Sequence, residues 1–294
     1  MKSKKKRIRE ITDYIKFVFP MLILYILFFI LPLFQTIGYS FTDYNGINPK
    51  KEFTGLTNYF DVFQDKWFYN SMAFTGKSVL LMILLANVLG FLLALALNRK
   101  IKSRNILRAI VFCPFVFNNV TVGFIWQFLL GRFMTDLYPL TGWKVFNIGW
   151  LSDNRLVLYS VVFVKLWQSI GYFMVIYLAG LQLLPQDPLE AAVIDGCTGI
   201  KMIRYITIPL MKPTAFVCIF LAITESLNMF PLIMSLTNGG PGHASENISL
   251  YIYNEAFKSH RMGYASALAV ILTIIMTIIA GLQMKLTRTR EDAG

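Results

Sequence analysis

Five polar side chains sit where they are costly, inside long apolar runs: Lys165, Gln168, Ser169 and Tyr172 in one, Glu225 in another. The first four are related by steps of three and four residues, which places them on one face of a helix with Trp167 beside it. Together they offer hydrogen-bond donors and acceptors next to flat rings, the chemistry that binds a polyhydroxylated solute. Polar groups inside a bilayer generally face the bundle interior and mark a pathway, although they can equally bond one helix to another. At about 1.5 Å rise per residue, Lys165 and Glu225 lie roughly 14 and 18 Å from the outer ends of their helices. Similar depth and opposite charge predict a pair, since an unpaired charge in the membrane is expensive. The alternative is that both reach a water-filled cavity and touch the solute.

No residue set supports catalysis. Residues 71–78 (SMAFTGKS) imitate a phosphate-binding loop, but Ser71 stands where its first glycine belongs and no strand precedes it. A phosphate cradle needs that glycine-rich turn between strand and helix. His243 and His260 share one outer loop and read as solvated. Cys113, Cys197 and Cys218 are dispersed, which predicts neither a disulfide framework nor a metal site. The expectation is a non-enzymatic chain with no cofactor of its own.

The elements that must position these residues are membrane helices. The 294 residues are 56% hydrophobic and only 15% charged, with mean hydropathy +0.56. A bilayer core about 30 Å thick needs about 20 apolar residues per helix. Six segments qualify: Phe17–Ile37, Ser78–Leu97, Ala109–Leu130, Leu156–Leu181, Pro213–Thr237 and Tyr264–Leu282. Long runs without alternation exclude a closed barrel. The fold class is therefore all-α, a polytopic membrane protein with six transmembrane helices. Its organisation is a basic segment 1–16, a six-helix domain 17–282 and a tail 283–294. The first helix is too long for a signal peptide and lacks a small-residue cleavage site after it.

The net charge of +12 is distributed by side rather than gathered for nucleic acid. The N-terminus, the loops 98–108 and 182–212, and the tail hold 18 Lys and Arg in 70 residues; the opposite loops hold 9 in 91. Basic residues concentrate in cytoplasmic loops, so both termini are expected in the cytoplasm.

That orientation also puts residues 186–213 in the cytoplasm. Pro188 suits a first helical turn with Gln186 or Asp187 as cap, Gly196 and Gly199 can turn the chain, and Ile200–Ile208 can form a second short helix before Pro209. Such a hairpin would present Ile194, Met202 and Ile203 below the membrane, with small Ala191 and Ala192 allowing close approach of a partner. Spacing alone fits a solvated connector equally well.

The order Glu190-Ala191-Ala192, three residues, Gly196, nine residues, then Ile206 and Pro209 resembles the EAA loop of permease subunits of ATP-binding-cassette importers. The match departs at Ile208, where leucine is usual, and at Cys197, where alanine is common. The resemblance implies that Glu190, Ala191, Ala192, Asp195, Gly196, Ile206 and Pro209 couple the chain to its ATPase. In that family the first short helix docks in a groove on the nucleotide-binding subunit.

Further segments, in order from about residue 52 to 267, resemble carbohydrate-uptake permeases of the maltose-permease type. They are GLTNY (55–59), LAGLQ (178–182), LTNGGPG (236–242), LYIY (250–253) and GYASA (263–267). This implies a type I importer permease fold in the bacterial plasma membrane and a cargo of oligosaccharide or polyol. It also implies a second permease, an extracellular solute-binding protein, and an ATPase dimer that carries ATP and Mg. On that alignment Ser169, Tyr172, Ala222, Ser226 and Phe230 line the sugar-binding face, beside Lys165, Trp167, Gln168 and Glu225. Pro231 departs from the acidic residue frequent after the aromatic. Rival expectations are the same machine with another cargo, such as glycerol-phosphate, polyamine or amino acid, an ion-coupled secondary transporter, or a membrane-bound enzyme.

Overall fold

The computed structural model describes residue 16, residues 18–99 and residues 101–291. Most of the basic segment 1–16, Lys100 and the last three residues of the tail lie outside the described residues. Twelve helical stretches organise the described chain: α1 Val18–Tyr39, α2 Thr57–Gln64, α3 Lys66–Leu97, α4 Arg104–Val116, α5 Asn119–Thr141, α6 Val157–Gln182, α7 Gln186–Ile194, α8 Ile200–Leu210, α9 Lys212–Leu227, α10 Phe230–Leu236, α11 Ile248–Tyr253 and α12 Met262–Glu291. Among the described residues no strand forms, only an isolated bridge between Thr42 and Phe53. Among the described residues four helices are long and apolar enough to cross a membrane, and six spans result if the bent pairs α4–α5 and α8–α9 each count as one.

Three boundaries differ from the sequence expectation. Helix α3 begins at Lys66 rather than Ser78, because Phe68, Ser71, Phe74 and Thr75 extend the buried stripe that continues through Ser78, Met82, Ala86, Gly90 and Ala94. Its glycine–lysine–serine segment is thus ordinary helix. The expected third span is instead two helices meeting at 96°. Phe117 and Asn118 are extended, and Asn118 Oδ1 caps α5 by accepting the Val120 N–H at 2.9 Å, so the chain starts a new helix there. The fifth is broken at Asn228–Met229, with Pro231 opening α10.

The described chain divides into two compact units. In the first, residues up to Asp65 and residues 252–277, the loop after α1 is tied by Asn58, whose Nδ2 donates to the carbonyls of Ser40 and Thr42 at 2.9 Å each. The Tyr59 and Ser40 hydroxyls meet at 2.7 Å. The Gly263 N–H donates to the Tyr44 carbonyl at 2.7 Å, and any Cβ at Gly263 would collide with the Thr42 carbonyl. The GLTNY and GYASA segments therefore share one structural task. In the second unit, residues 66–251 and 278 onward, α3 packs along α6. A Cβ at Gly90 would lie 2.8 Å from Phe173 Cβ, and one at Gly171 would collide with Val111 of α4. Small residues at these crossings let the backbones approach, as membrane helices require.

Candidate functional site

The charged residues of the apolar core do meet. Lys165 Nζ on α6 lies 2.6 Å from Glu225 Oε2 on α9, with the lysine side chain 3% and the glutamate 26% exposed. The same ammonium donates to Asn119 Oδ1 at 3.4 Å, at the first turn of α5. One helical turn along α6, Gln168 Nε2 donates to the Phe117 carbonyl at 2.9 Å. Phe117 sits at the α4–α5 break, where its carbonyl has lost its helical partner, so Gln168 satisfies a group that would otherwise be orphaned. Among the described residues Gln168 Oε1 is buried without a hydrogen-bond partner. The break, α6 and α9 are thereby cross-linked at one level.

The remaining pathway candidates divide by accessibility. Ser169 and Ser226 are buried and donate to the carbonyls of Lys165 (2.8 Å) and Ala222 (2.6 Å) in their own helices; Ala222 is also buried. Tyr172 is half-buried, stacked on Phe115 with ring centroids 4.6 Å apart. Trp167 is exposed and edge-on to Trp126, and Phe230 is half-buried. In this conformation Trp167 is the most accessible member of the set on α6, α9 and α10, and Glu225, Tyr172 and Phe230 are partly accessible. Sequence reasoning missed Asn119 and the Phe117 carbonyl. The adjacent Asn118-Asn119 pair inside an apolar run was the available signal, because asparagine favours helix starts.

The second feature is the hairpin joining α6 to α9. Helix α7 starts after Pro185 with no side-chain cap, so neither Gln186 nor Asp187 caps it; both lie in its first turn. Its end is closed by two backbone bonds, Cys197 N–H to the Ala192 carbonyl at 2.8 Å and Gly196 N–H to the Val193 carbonyl at 3.0 Å. This closure needs a left-handed residue, and Gly196 supplies it at φ +75°. Gly199, at φ +62° and ψ −129°, then launches α8.

The exposed apolar side chains at the tip are Val193, Ile194 and Ile200, with Tyr205 further along α8. Met202 and Ile203, expected there, are only partly exposed; Ile203, with the more exposed Ile200, borders an apolar hollow of about 520 Å³ between α8, α3 and α6. Ala192 is also turned inward, whereas Ala191, Glu190, Asp195 and Pro209 are exposed and Ile206 is half-buried. Among the described residues Glu190 and Asp195 form no ion pair, which leaves two carboxylates beside the apolar tip.

Comparison with known proteins bears on both features. Residues 86–290 match the family described as binding-protein-dependent transport system inner membrane component. A probable starch degradation products transport system permease protein of Thermoanaerobacterium thermosulfurigenes is 36% identical over 293 residues, covering 99% of each chain. A multiple sugar-binding transport system permease protein of Streptococcus mutans is 34% identical, covering 92% of this chain and 93% of its own. In fold, the chain matches a subunit of a bacterial ABC transporter involved in import of the acidic polysaccharide alginate, with TM-score 0.81 and 21% identity, covering 97% of this chain and 98% of the other.

Proposed function

Since the chain belongs to the family of binding-protein-dependent transport system inner membrane components, and is a permease subunit of an ATP-binding-cassette importer, we propose that its cargo is a carbohydrate and that residues 186–210 couple its movement to ATP. The permease performs no covalent chemistry; the ATPase is a separate subunit in this family. A second permease, the ATPase and an external binding protein complete the machine. ATP and its Mg are held by the partner ATPase, and both termini and the hairpin face the cytoplasm.

One observation carries this reading. The hairpin is continuous with α6 on one side and α9 on the other, and those two helices are bonded to each other inside the membrane by Lys165 and Glu225. A displacement of the docked hairpin is therefore delivered to both helices at the level of the polar residues. The accessible apolar tip of Val193, Ile194 and Ile200 supplies the docking surface. Glu225, Tyr172 and Phe230 supply a carboxylate and two rings, groups suited to hydroxyl recognition and ring stacking. The names of the relatives support carbohydrate cargo: starch degradation products for one, multiple sugars for the other.

The test is uptake by the complete importer in proteoliposomes, with labelled neutral oligosaccharides, polyols, glycerol-phosphate and amino acids supplied with the binding protein. ATP-dependent accumulation of a saccharide is expected. Accumulation of only glycerol-phosphate or an amino acid would overturn the carbohydrate assignment while leaving the importer intact.

A further inference from the structure

A recess of about 460 Å³ opens between the first turns of α3, the start of α6 and the loop before α11, away from the charged pair and the hairpin. Lys77, Arg155, Trp67, Tyr159 and Asn154 line it, and the loop residues Gly242 and Ala244 complete its wall. The orientation proposed above turns this recess outward.

Its rim is firmly built. Asn70 Nδ2 donates to the His243 carbonyl at 2.9 Å, and the His243 and Trp67 rings lie 4.3 Å apart. His243 Nδ1 is 2.6 Å from Glu246 Oε2, whose side chain is buried. Ser245 Oγ donates to the Gly240 carbonyl at 2.6 Å, and the Ile248 N–H to Thr75 Oγ1 at 3.0 Å. The LTNGGPG segment thus ends in the wall of this recess, and His243 is engaged rather than merely solvated.

The charges inside are uncompensated. Among the described residues neither the Lys77 ammonium nor the Arg155 guanidinium has a hydrogen-bond or ion-pair partner, and both residues are exposed. Among the described residues no Asp or Glu lines the recess. The nearby Asp153 carboxylate accepts the Arg155 backbone N–H at 2.7 Å. Two like charges in one preformed hollow repel each other, and a carboxylate set between them relieves that repulsion while forming charge-assisted hydrogen bonds. The Trp67 and Tyr159 rings offer flat apolar walls for the hydrocarbon part of the same group.

We propose that this recess docks the solute-binding protein through an Asp- or Glu-bearing segment inserted between Lys77 and Arg155. The proposal rests on the importer assignment and on the outward orientation. A protein partner is favoured over a free solute because the family depends on a binding protein and because a rigid polar rim suits preorganised protein docking.

The experiment measures ATP hydrolysis by the complete importer in lipid nanodiscs against concentration of its cargo-loaded binding protein. In Lys77→Glu/Arg155→Glu the half-maximal concentration rises about tenfold, with basal hydrolysis and the maximal rate unchanged. Wild-type docking weakens as salt is raised from about 50 to about 200 mM, and the variant's salt dependence flattens. Lys77→Arg/Arg155→Lys keeps the wild-type behaviour, which separates charge from folding. An unchanged half-maximal concentration overturns the proposal. So does a shift that vanishes in purely zwitterionic lipid, which would make a lipid headgroup the anion. Binding of the saccharide alone to wild type but not to the variant would overturn it too. If the binding protein fails to stimulate even the wild type, the importer assignment itself falls.

Discussion

Replacing Gly196 with proline is expected to cut ATP-driven uptake about a hundredfold while the membrane helices stay folded. Gly196 sits at φ +75° and its N–H donates to the Val193 carbonyl. Proline fixes φ near −65° and removes that donor, at a cost of about 3 kcal/mol or more. Both bonds that close α7 are then lost, and the Val193–Ile200 tip no longer has one geometry. At about 1.4 kcal/mol per tenfold, that cost is worth two decades in the population of the docking-competent hairpin. Gly196→Ala keeps the N–H and pays only the left-handed penalty of about 1–2 kcal/mol, so its loss should be nearer tenfold. Gly281→Ala is the control, because a Cβ there meets nothing within 4 Å and the residue is not left-handed. Initial uptake rates in proteoliposomes, normalised to inserted protein, give the three values. Equal uptake in Gly196→Pro and wild type would show that hairpin geometry is irrelevant to coupling.

Lys165→Met should be nearly as damaging, for a different reason. It leaves the Glu225 carboxylate facing the vacated space without its 2.6 Å partner, and it removes the donor to Asn119 at the α4–α5 break. Breaking one side of a buried pair costs about 3–5 kcal/mol. Glu225 is 26% exposed, so water recovers part of that and the lower end applies. Uptake is expected to fall at least about tenfold, and the unfolding temperature of the purified complex to drop. The double variant Lys165→Met/Glu225→Gln removes both charges and should restore much of the loss. The two single effects are then strongly non-additive. A double variant that stays folded but inactive would instead assign Lys165 or Glu225 to direct contact with the cargo. Additive single effects would make the contact energetically incidental.

The spans and the charged pair were legible because apolar length and charge cost are properties of the chain itself. Lys165 and Glu225 announced themselves by being wrong for their surroundings. The breaks were harder to see. Phe117-Asn118-Asn119 is short and lies in a run apolar enough to read as one helix, so only the capping tendency of Asn118 spoke against continuity. The start of α3 was hidden because Lys66–Lys77 is too polar to look like membrane. Its inward face nevertheless carries Phe68, Ser71, Phe74 and Thr75 in register with the apolar part.

In the hairpin, the positions of Gly196 and Gly199 could be foreseen from turn chemistry. Which side chains point outward could not, because that depends on how α8 lies over α3 and α6. Ile203 and Ala192 turn inward there, and Ile200 takes the exposed place instead. Ser169 and Ser226 mark another limit of pattern reading. Spacing put the Ser169 hydroxyl, and the family resemblance the Ser226 hydroxyl, on an inward face, but each bonds to the carbonyl four residues back in its own helix, a local competition that serine always offers.

The central claim is that the 186–210 hairpin is the surface through which the ATPase drives this permease. Its most direct test is a photo-crosslinking residue at position 194, since Ile194 is 86% exposed at the hairpin tip. Irradiation of the intact importer, followed by mass spectrometry of the adducts, should yield the ATPase subunit as the main crosslinked partner. The crosslinked site on the ATPase should lie in a surface groove, and the adduct should join the two subunits with and without nucleotide. Adducts only to lipid, or to this chain itself, in a preparation where the ATPase demonstrably co-purifies, would contradict the account.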